Sequence, residues 1–150
     1  MTPYAAPSAE VRDPEPDSSQ TAVLVGAAVG NGVSYAALFL MSLVFLWVLR
    51  AQGVAPQELY VRAYQSTGYL LFAHAVAFLC CAPGGYWSAR LGPARPYLNA
   101  ALAGSIVSAL ALSANLMPYD LPIPLWSRIA SVVIPLPAFL LGARWQRRGA

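Results

Sequence analysis

Charged residues are absent from three long stretches of this chain of 150 residues. Residues 18–49, 63–89 and 96–119 contain no Asp, Glu, Lys or Arg. Each stretch exceeds the roughly 20 apolar residues that an α-helix needs to cross a bilayer. Only 10% of all residues are charged and 58% are hydrophobic, which is far more apolar than a soluble domain. With a shorter fourth stretch that ends at Gly142, the sequence predicts an all-α polytopic membrane protein with four transmembrane helices in a compact bundle.

Residues that carry out catalysis or bind metals are also scarce. His74 is the single histidine, and the apolar stretches contain no carboxylate. The two cysteines, Cys80 and Cys81, are neighbours without a CxxC or Cys/His spacing, so we interpret them as small buried hydrophobic residues. This set lacks an acid–base pair, a pair of imidazoles for haem and the usual ligands of a metal site. We therefore expect a protein that is not an enzyme and has no cofactor.

Lysine is absent, and all nine basic residues are arginines. This composition suggests a GC-rich coding genome and hence a bacterial protein. The arginines are not clustered on a polar face with interleaved aromatic residues, so the basic charge does not indicate a nucleic-acid partner. In a membrane protein the same residues are topology signals.

The predicted domain organisation has three parts. Residues 1–20 contain four prolines and no apolar run, which predicts a disordered cytoplasmic tail rather than a signal peptide. Residues 21–146 form the transmembrane domain, and residues 147–150 form a basic cytoplasmic end. The four predicted helices cover residues 22–49, 63–87, 97–116 and 125–144.

The fourth helix is the least regular, because Pro135 and Pro137 lie within it and Arg128 near its start. Trp126 and Trp145 are separated by about 28 Å of helix, which matches the hydrocarbon thickness and the usual interfacial position of tryptophan. We therefore predict a full crossing, in which the side chain of Arg128 reaches the interface. A re-entrant segment is the alternative.

The arginines predict the orientation in the membrane. With four crossings, both termini and the 88–96 loop share one side. That side carries six arginines and the other carries three, Arg50, Arg62 and Arg128. The positive-inside rule then places both termini in the cytoplasm of a bacterial cell, with the protein in the inner membrane. The six are Arg12, Arg90, Arg95, Arg144, Arg147 and Arg148.

Small residues recur at every fourth position in the first three predicted helices. Helices in lipid associate through close van der Waals contact, and small side chains permit it. The pattern predicts helix packing at Gly26, Gly30, Gly85 and Gly104. The pair Gly26–Gly30 is equally compatible with a face for self-association, and the sequence does not distinguish the two.

Polar residues occur at one common depth in the four predicted helices. Each lies five or six residues from an aromatic residue at the outer interface, or roughly 7–9 Å below it. We predict one intramembrane polar layer, with His74 as its only titratable member. An ionisable residue in a membrane is a functional candidate, and the alternative is a neutral imidazole hydrogen-bonded to serines. The layer consists of Ser42, His74, Ser113 and Ser131.

The predicted inner loop carries two resemblances. The segment Gly84-Gly85-Tyr86-Trp87-Ser88-Ala89-Arg90-Leu91 is followed by an Ala-rich third helix and a fourth helix that begins near a tryptophan. Over roughly residues 66–145 this pattern resembles uncharacterised small four-helix bacterial inner-membrane proteins. That resemblance implies the same topology and no activity.

The same loop resembles, more locally, the loop between the second and third helices of major facilitator transporters. Gly85, Arg90, Gly92 and Arg95 match that pattern, whereas Ala89 stands where those transporters have an Asp. The charge interaction used in their gating is therefore missing. A structural explanation is also available, because the glycines allow close helix contact and a turn, and the arginines lie beside anionic lipid.

Two functions remain open from the sequence. The leading interpretation is a non-enzymatic component of the inner membrane that packs with itself or with another membrane protein, in a role that the sequence does not specify. The alternative is a small transporter or permease-like module that acts as an oligomer, with a pathway between protomers lined by His74 and Asn31.

Overall fold

The computed structural model describes residues 19–118 and 121–148. Most of the predicted disordered tail, residues 1–18, lies outside the described residues. Tyr119 and Asp120 lie outside them too. The sequence also predicts that Tyr119 lies among the aromatic residues of the outer interface and that Asp120 can pair with Arg128, and both predictions fall outside the described residues.

Six α-helices account for most of the described chain, and residues 19–118 and 121–148 contain no β-strand. Four helical segments are long and apolar enough to cross a membrane: Gln20–Ala51, Thr67–Leu91, Pro96–Leu116 and Leu125–Arg148. The predicted all-α bundle with four potential crossings is confirmed. The helices are α1 (Ser19–Ala51), α2 (Leu59–Gln65), α3 (Thr67–Leu91), α4 (Pro96–Leu116), α5 (Leu125–Val133) and α6 (Pro135–Arg148), with one 3-10 turn at Pro56–Glu58.

The second crossing begins later than the sequence predicts. Residues 63–65 belong to the short helix α2, and the chain breaks at Ser66 before α3 begins at Thr67. The backbone of Ser66 is extended, and its hydroxyl accepts a hydrogen bond from the Tyr69 amide at 3.3 Å. Ser66 is thus an N-cap that separates an interfacial turn from the crossing itself. At the other end α3 continues past Gly85 to Leu91.

The fourth crossing consists of α5 and α6, with a break at Ile134. Pro135 and Pro137 have no N–H, so the carbonyls of Ser131 and Val133 lose their usual helical donors. Helix α6 nevertheless continues in the direction of α5, since the Ile134 amide donates to Ala130 O at 2.9 Å and the Ala138 amide donates to Ile134 O at 3.3 Å. A kink rather than a re-entrant turn follows, which agrees with the predicted crossing.

The four crossings alternate in direction. Cys81 in α3 meets Ser34 in α1, and Tyr69 earlier in α3 meets Ser42 later in α1, so these helices are antiparallel. Helix α4 runs against α5–α6, because Asn115 contacts Ser131 at one end and the Tyr97 ring lies 5.5 Å from the Arg147 guanidinium at the other. The start of α1, the 92–95 loop and the end of α6 therefore share one end of the bundle.

Burial divides the bundle into two halves. We call the half nearer the 92–95 loop the closed half; it contains residues 20–34 of α1, 81–91 of α3, 96–107 of α4 and 135–148 of α6. Nearly all buried residues lie there, and no residue of α1 beyond Ser34 is buried. In the other half, which we call the open half, the buried residues are Ala63, Leu70 and Ser127.

Glycines bring the backbones together in the closed half. A Cβ at Gly84 would lie 2.6 Å from the carbonyl oxygen of Gly26 and 2.7 Å from the Cα of Gly30. A Cβ at Gly85 would collide with the backbone of Phe139, and one at Gly142 with the carbonyl of Ala82. At each of these positions only the hydrogen of a glycine fits against the neighbouring helix.

Each glycine predicted for helix packing lies at a contact within the bundle. Gly26 faces Ser88 and Gly84, Gly30 faces the ring of Phe139, and a Cβ at Gly104 would lie 3.2 Å from Phe139 Cβ. The Phe139 side chain is fully buried and fills the space between these helices. The Gly26–Gly30 pair is therefore used inside one chain.

We expect Gly85→Ala to destabilise the folded bundle by about 1–3 kcal/mol, because the added methyl group meets backbone that cannot rotate away. The matched control is Gly68→Ala in the same helix, where no atom lies within 4 Å of the added methyl. The measurement is the free energy of unfolding of both variants in mild detergent. Equal stability of the two variants would show that α3 and α6 do not pack as described.

Candidate functional site

A cavity of about 360 Å³ occupies the open half of the bundle. All four crossings and α2 contribute to its walls. Cys81 and Val107 line it and also belong to the hydrophobic core around Phe139, so the packed closed half forms its floor. From there the lining extends to Tyr64 in α2 and Ile123 beside α5. The volume is near the lower end of the range for small-molecule pockets, roughly 300–1,000 Å³.

The walls are largely apolar, with polar groups at a few places. Polar lining from α1 comes from Asn31, Ser34 and Ser42, and from α3 it comes from Tyr69 and His74. Helices α4 and α5 add a second polar set. This second set is Asn115, Ser127, Arg128 and Ser131.

His74 bonds to a serine that the predicted polar layer did not include. Its Nε2 lies 2.9 Å from the hydroxyl oxygen of Ser127, which is buried. The imidazole ring also meets the indole of Trp126 edge-on, with centroids 5.8 Å apart. His74 and Ser127 thus join α3 to the first turn of α5 at the wall of the cavity.

Ser42 and Ser131 both lie at the cavity, each in its own hydrogen-bond network. The Ser42 hydroxyl donates to Leu38 O at 2.7 Å in its own helix, which leaves the Tyr69 hydroxyl, also at 2.7 Å, to donate to Ser42. Ser131 donates to the Arg128 carbonyl at 2.7 Å and accepts from the Asn115 amide at 2.9 Å. Three of the four predicted layer residues thus surround one cavity.

Ser113 is placed elsewhere. It is exposed on the outer surface of α4 and donates to Leu110 O in its own helix at 2.8 Å. Asn115, two residues further along, faces inward and occupies the position in α4 that the depth argument gave to Ser113. Its Nδ2 donates to Ser131 and to the carbonyls of Ala111 and Arg128, at 2.9, 3.0 and 3.3 Å.

Arg128 differs from the other described arginines. It is half-buried at the cavity wall, and its Nε–H is buried without a hydrogen-bond partner among the residues that the structure describes. The other seven described arginines are exposed. The sequence prediction that this side chain reaches the interface stays a prediction, and the structure adds that its Nε–H lies within the bundle.

The arginines predicted as topology signals lie together at the closed end of the bundle and are all exposed. Two of them contact aromatic rings, since Arg90 lies 5.3 Å from the Trp87 ring centroid and Arg147 lies 5.5 Å from that of Tyr97. Such contacts are favourable at an interface. The set is Arg90, Arg95, Arg144, Arg147 and Arg148.

Possible metal ligands and thiols are few in the described ranges. Residues 19–118 and 121–148 contain no group of three or more His, Cys, Asp or Glu side chains arranged to hold a metal. Cys81 is buried with its sulfur 3.2 Å from the Ser34 hydroxyl, and Cys80 is half-buried; both are free thiols. The expectation that the protein has no cofactor stays a prediction.

No known protein family, curated protein or solved structure is significantly similar to this chain. The two resemblances carried by residues 84–96 therefore remain predictions. The fold and the cavity define the class, a small helical bundle of the membrane-spanning type with a largely apolar cavity in one half that carries a few polar groups.

We expect Asn115→Ala to lower the stability of the bundle by about 1 kcal/mol, because interhelical hydrogen bonds in membrane proteins contribute amounts of that size. Ser113→Ala is the matched control, because its hydroxyl bonds within its own helix. It should change stability by less than about 0.5 kcal/mol. Unfolding both variants in mild detergent measures the difference, and an equal loss would contradict the inward position of Asn115.

Proposed function

We propose that this protein is a non-enzymatic, multi-pass protein of a bacterial inner membrane that binds a small polar molecule in the cavity of its open half. The observation that carries the proposal is the cavity itself, which has polar groups from all four crossings around a largely apolar space. Ligand sites in proteins combine an apolar pocket with a few fixed polar groups in the same way. Ionisable residues within a membrane domain support the same conclusion.

The geometry favours binding from one side only. Below the cavity the crossings meet at glycines, and the fully buried Phe139 fills the space between them. A ligand that enters from the open half therefore reaches a floor, not a channel. Transport would require the helices of the closed half to separate. We therefore infer that the structure is that of a binding protein, or the outward-open state of a transporter-like module.

The site also needs only one chain. The sequence placed a pathway between protomers, whereas His74 and Asn31 line the same cavity within a single bundle. An oligomer is therefore not needed to complete the polar lining.

A packing role with a second membrane protein is the other candidate, and α1 favours it. Within its membrane-spanning window only 6% of residues are buried, against 28% in each of the other three crossings. Its open-half segment exposes Phe39, Leu43 and Trp47. Lipid or a partner helix would cover this surface equally well.

We propose that the closed end faces the cytoplasm, on the support of the five exposed arginines there. Gln52→Cys and Ala94→Cys place thiols at opposite ends, both at exposed positions. In a background with Cys80→Ala and Cys81→Ala, a membrane-impermeant maleimide should label position 52 in intact cells and position 94 only after lysis. The reverse pattern would invert the orientation.

The binding proposal predicts that water enters the cavity. In the same background, Ser131→Cys should react with a charged methanethiosulfonate reagent at least tenfold faster than Ser113→Cys. The two serines were predicted at similar depth, but one lines the cavity and the other lies on the outer surface of α4. A lipid-facing thiol does not meet the charged reagent, so equal rates would contradict a water-accessible cavity and the proposed function with it.

A further inference from the structure

Charge inside the cavity is unbalanced in the described structure. Arg128 is the only residue with a permanent charge among those that line the cavity, and none of the lining residues is acidic. Beyond the first 17 residues the sequence has only two acidic side chains, Glu58 and Asp120. Glu58 is exposed and lies 3.8 Å from Arg62, to which it is paired. Glu58 is therefore engaged outside the cavity.

The Arg128 side chain also has an unused donor. Its Nε–H is buried and meets no acceptor in residues 19–118 and 121–148. A buried donor without an acceptor costs about 1–3 kcal/mol, and more when the group is charged. The described lining of the cavity contains no acidic residue, so an anion in the cavity would supply the countercharge that Arg128 lacks there.

The character of the walls narrows the kind of anion. One guanidinium balances one negative charge, and its planar fork matches a carboxylate through two parallel hydrogen bonds. The remaining walls are mostly apolar, with Leu38, Leu70, Val107 and Ile134 among them. A dianionic phosphate would leave one charge unbalanced in these surroundings, whereas an organic acid with an apolar body would bury that body against the walls.

We propose that the cavity binds a small organic monocarboxylate, with Arg128 as the cation that holds the carboxylate and the apolar walls in contact with its body. This inference rests on the proposed function and specifies its ligand. The cavity of about 360 Å³ has room for a short organic acid.

Hexanoate and its neutral analogue hexanamide test the charge requirement. With the full chain in lipid nanodiscs, isothermal titration should show hexanoate binding at least tenfold tighter than hexanamide. Arg128→Gln should lower hexanoate affinity at least tenfold and leave hexanamide unchanged. Arg62→Gln is the matched control, an exposed arginine at the same end of the bundle, and should have no effect. Arg128→Lys retains the charge and should lose less affinity than Arg128→Gln, which keeps the test valid if the Gln variant does not fold.

Several results would overturn the inference and leave the proposed function intact. One is equal binding of hexanoate and hexanamide, or no binding of either, while the thiol at position 131 still reacts. Another is tighter binding of palmitate supplied in the nanodisc lipid, which would indicate a lipid source. A third is a tenfold gain of hexanoate affinity in Asp120→Asn, which would show that Asp120 already neutralises Arg128. An unreactive thiol at position 131 would instead remove the proposed function itself.

Discussion

Close contact between helix backbones in the closed half is the constraint on which the rest of the structure depends. In lipid, apolar side chains gain little by leaving their surroundings for a helix interface, so association requires direct van der Waals contact. Gly84 against Gly26 and Gly30, and Gly85 against Phe139, supply that contact. Any side chain at these positions would push α1 or α6 away from α3.

The same constraint explains why the other half is open. The glycine contacts all lie on one side of Cys81 and Val107, and beyond them the facing positions carry larger groups such as Tyr69, His74 and Asn115. These side chains keep the backbones apart and bond across the gap in pairs, among them His74 with Ser127 and Asn115 with Ser131. Buried polar groups need hydrogen-bond partners, and here the partners lie on the facing helices around the cavity. The open half is therefore held by hydrogen bonds, and the closed half by close packing.

The level of a residue along the bundle could be read from the sequence, but its direction around the helix could not. Counting from aromatic residues placed Ser42, His74 and Ser131 at a common level, and all three line the cavity. The same count selected Ser113, whose side chain points outward. It passed over Asn115, which lies two residues further along α4 and points inward. Ser127 was also passed over, although its spacing of four from Ser131 put both on one face of α5. The signal was present in that spacing, but nothing in the sequence identified that face as the inner one.

Length, hydropathy and charge distribution by themselves determined that this chain has four potential crossings, because these are sums over a local segment and do not depend on neighbouring helices. The sequence also determined which glycines would permit contact, since the small size of a residue is an intrinsic property. Only the tertiary structure decided which of those contacts form, where the bundle stays open, and that Arg128 joins His74 at one cavity. Helices α1, α3 and α4 are apolar on nearly every side, so lipid does not fix their rotation. That rotation is set by the fit of each helix against the other three.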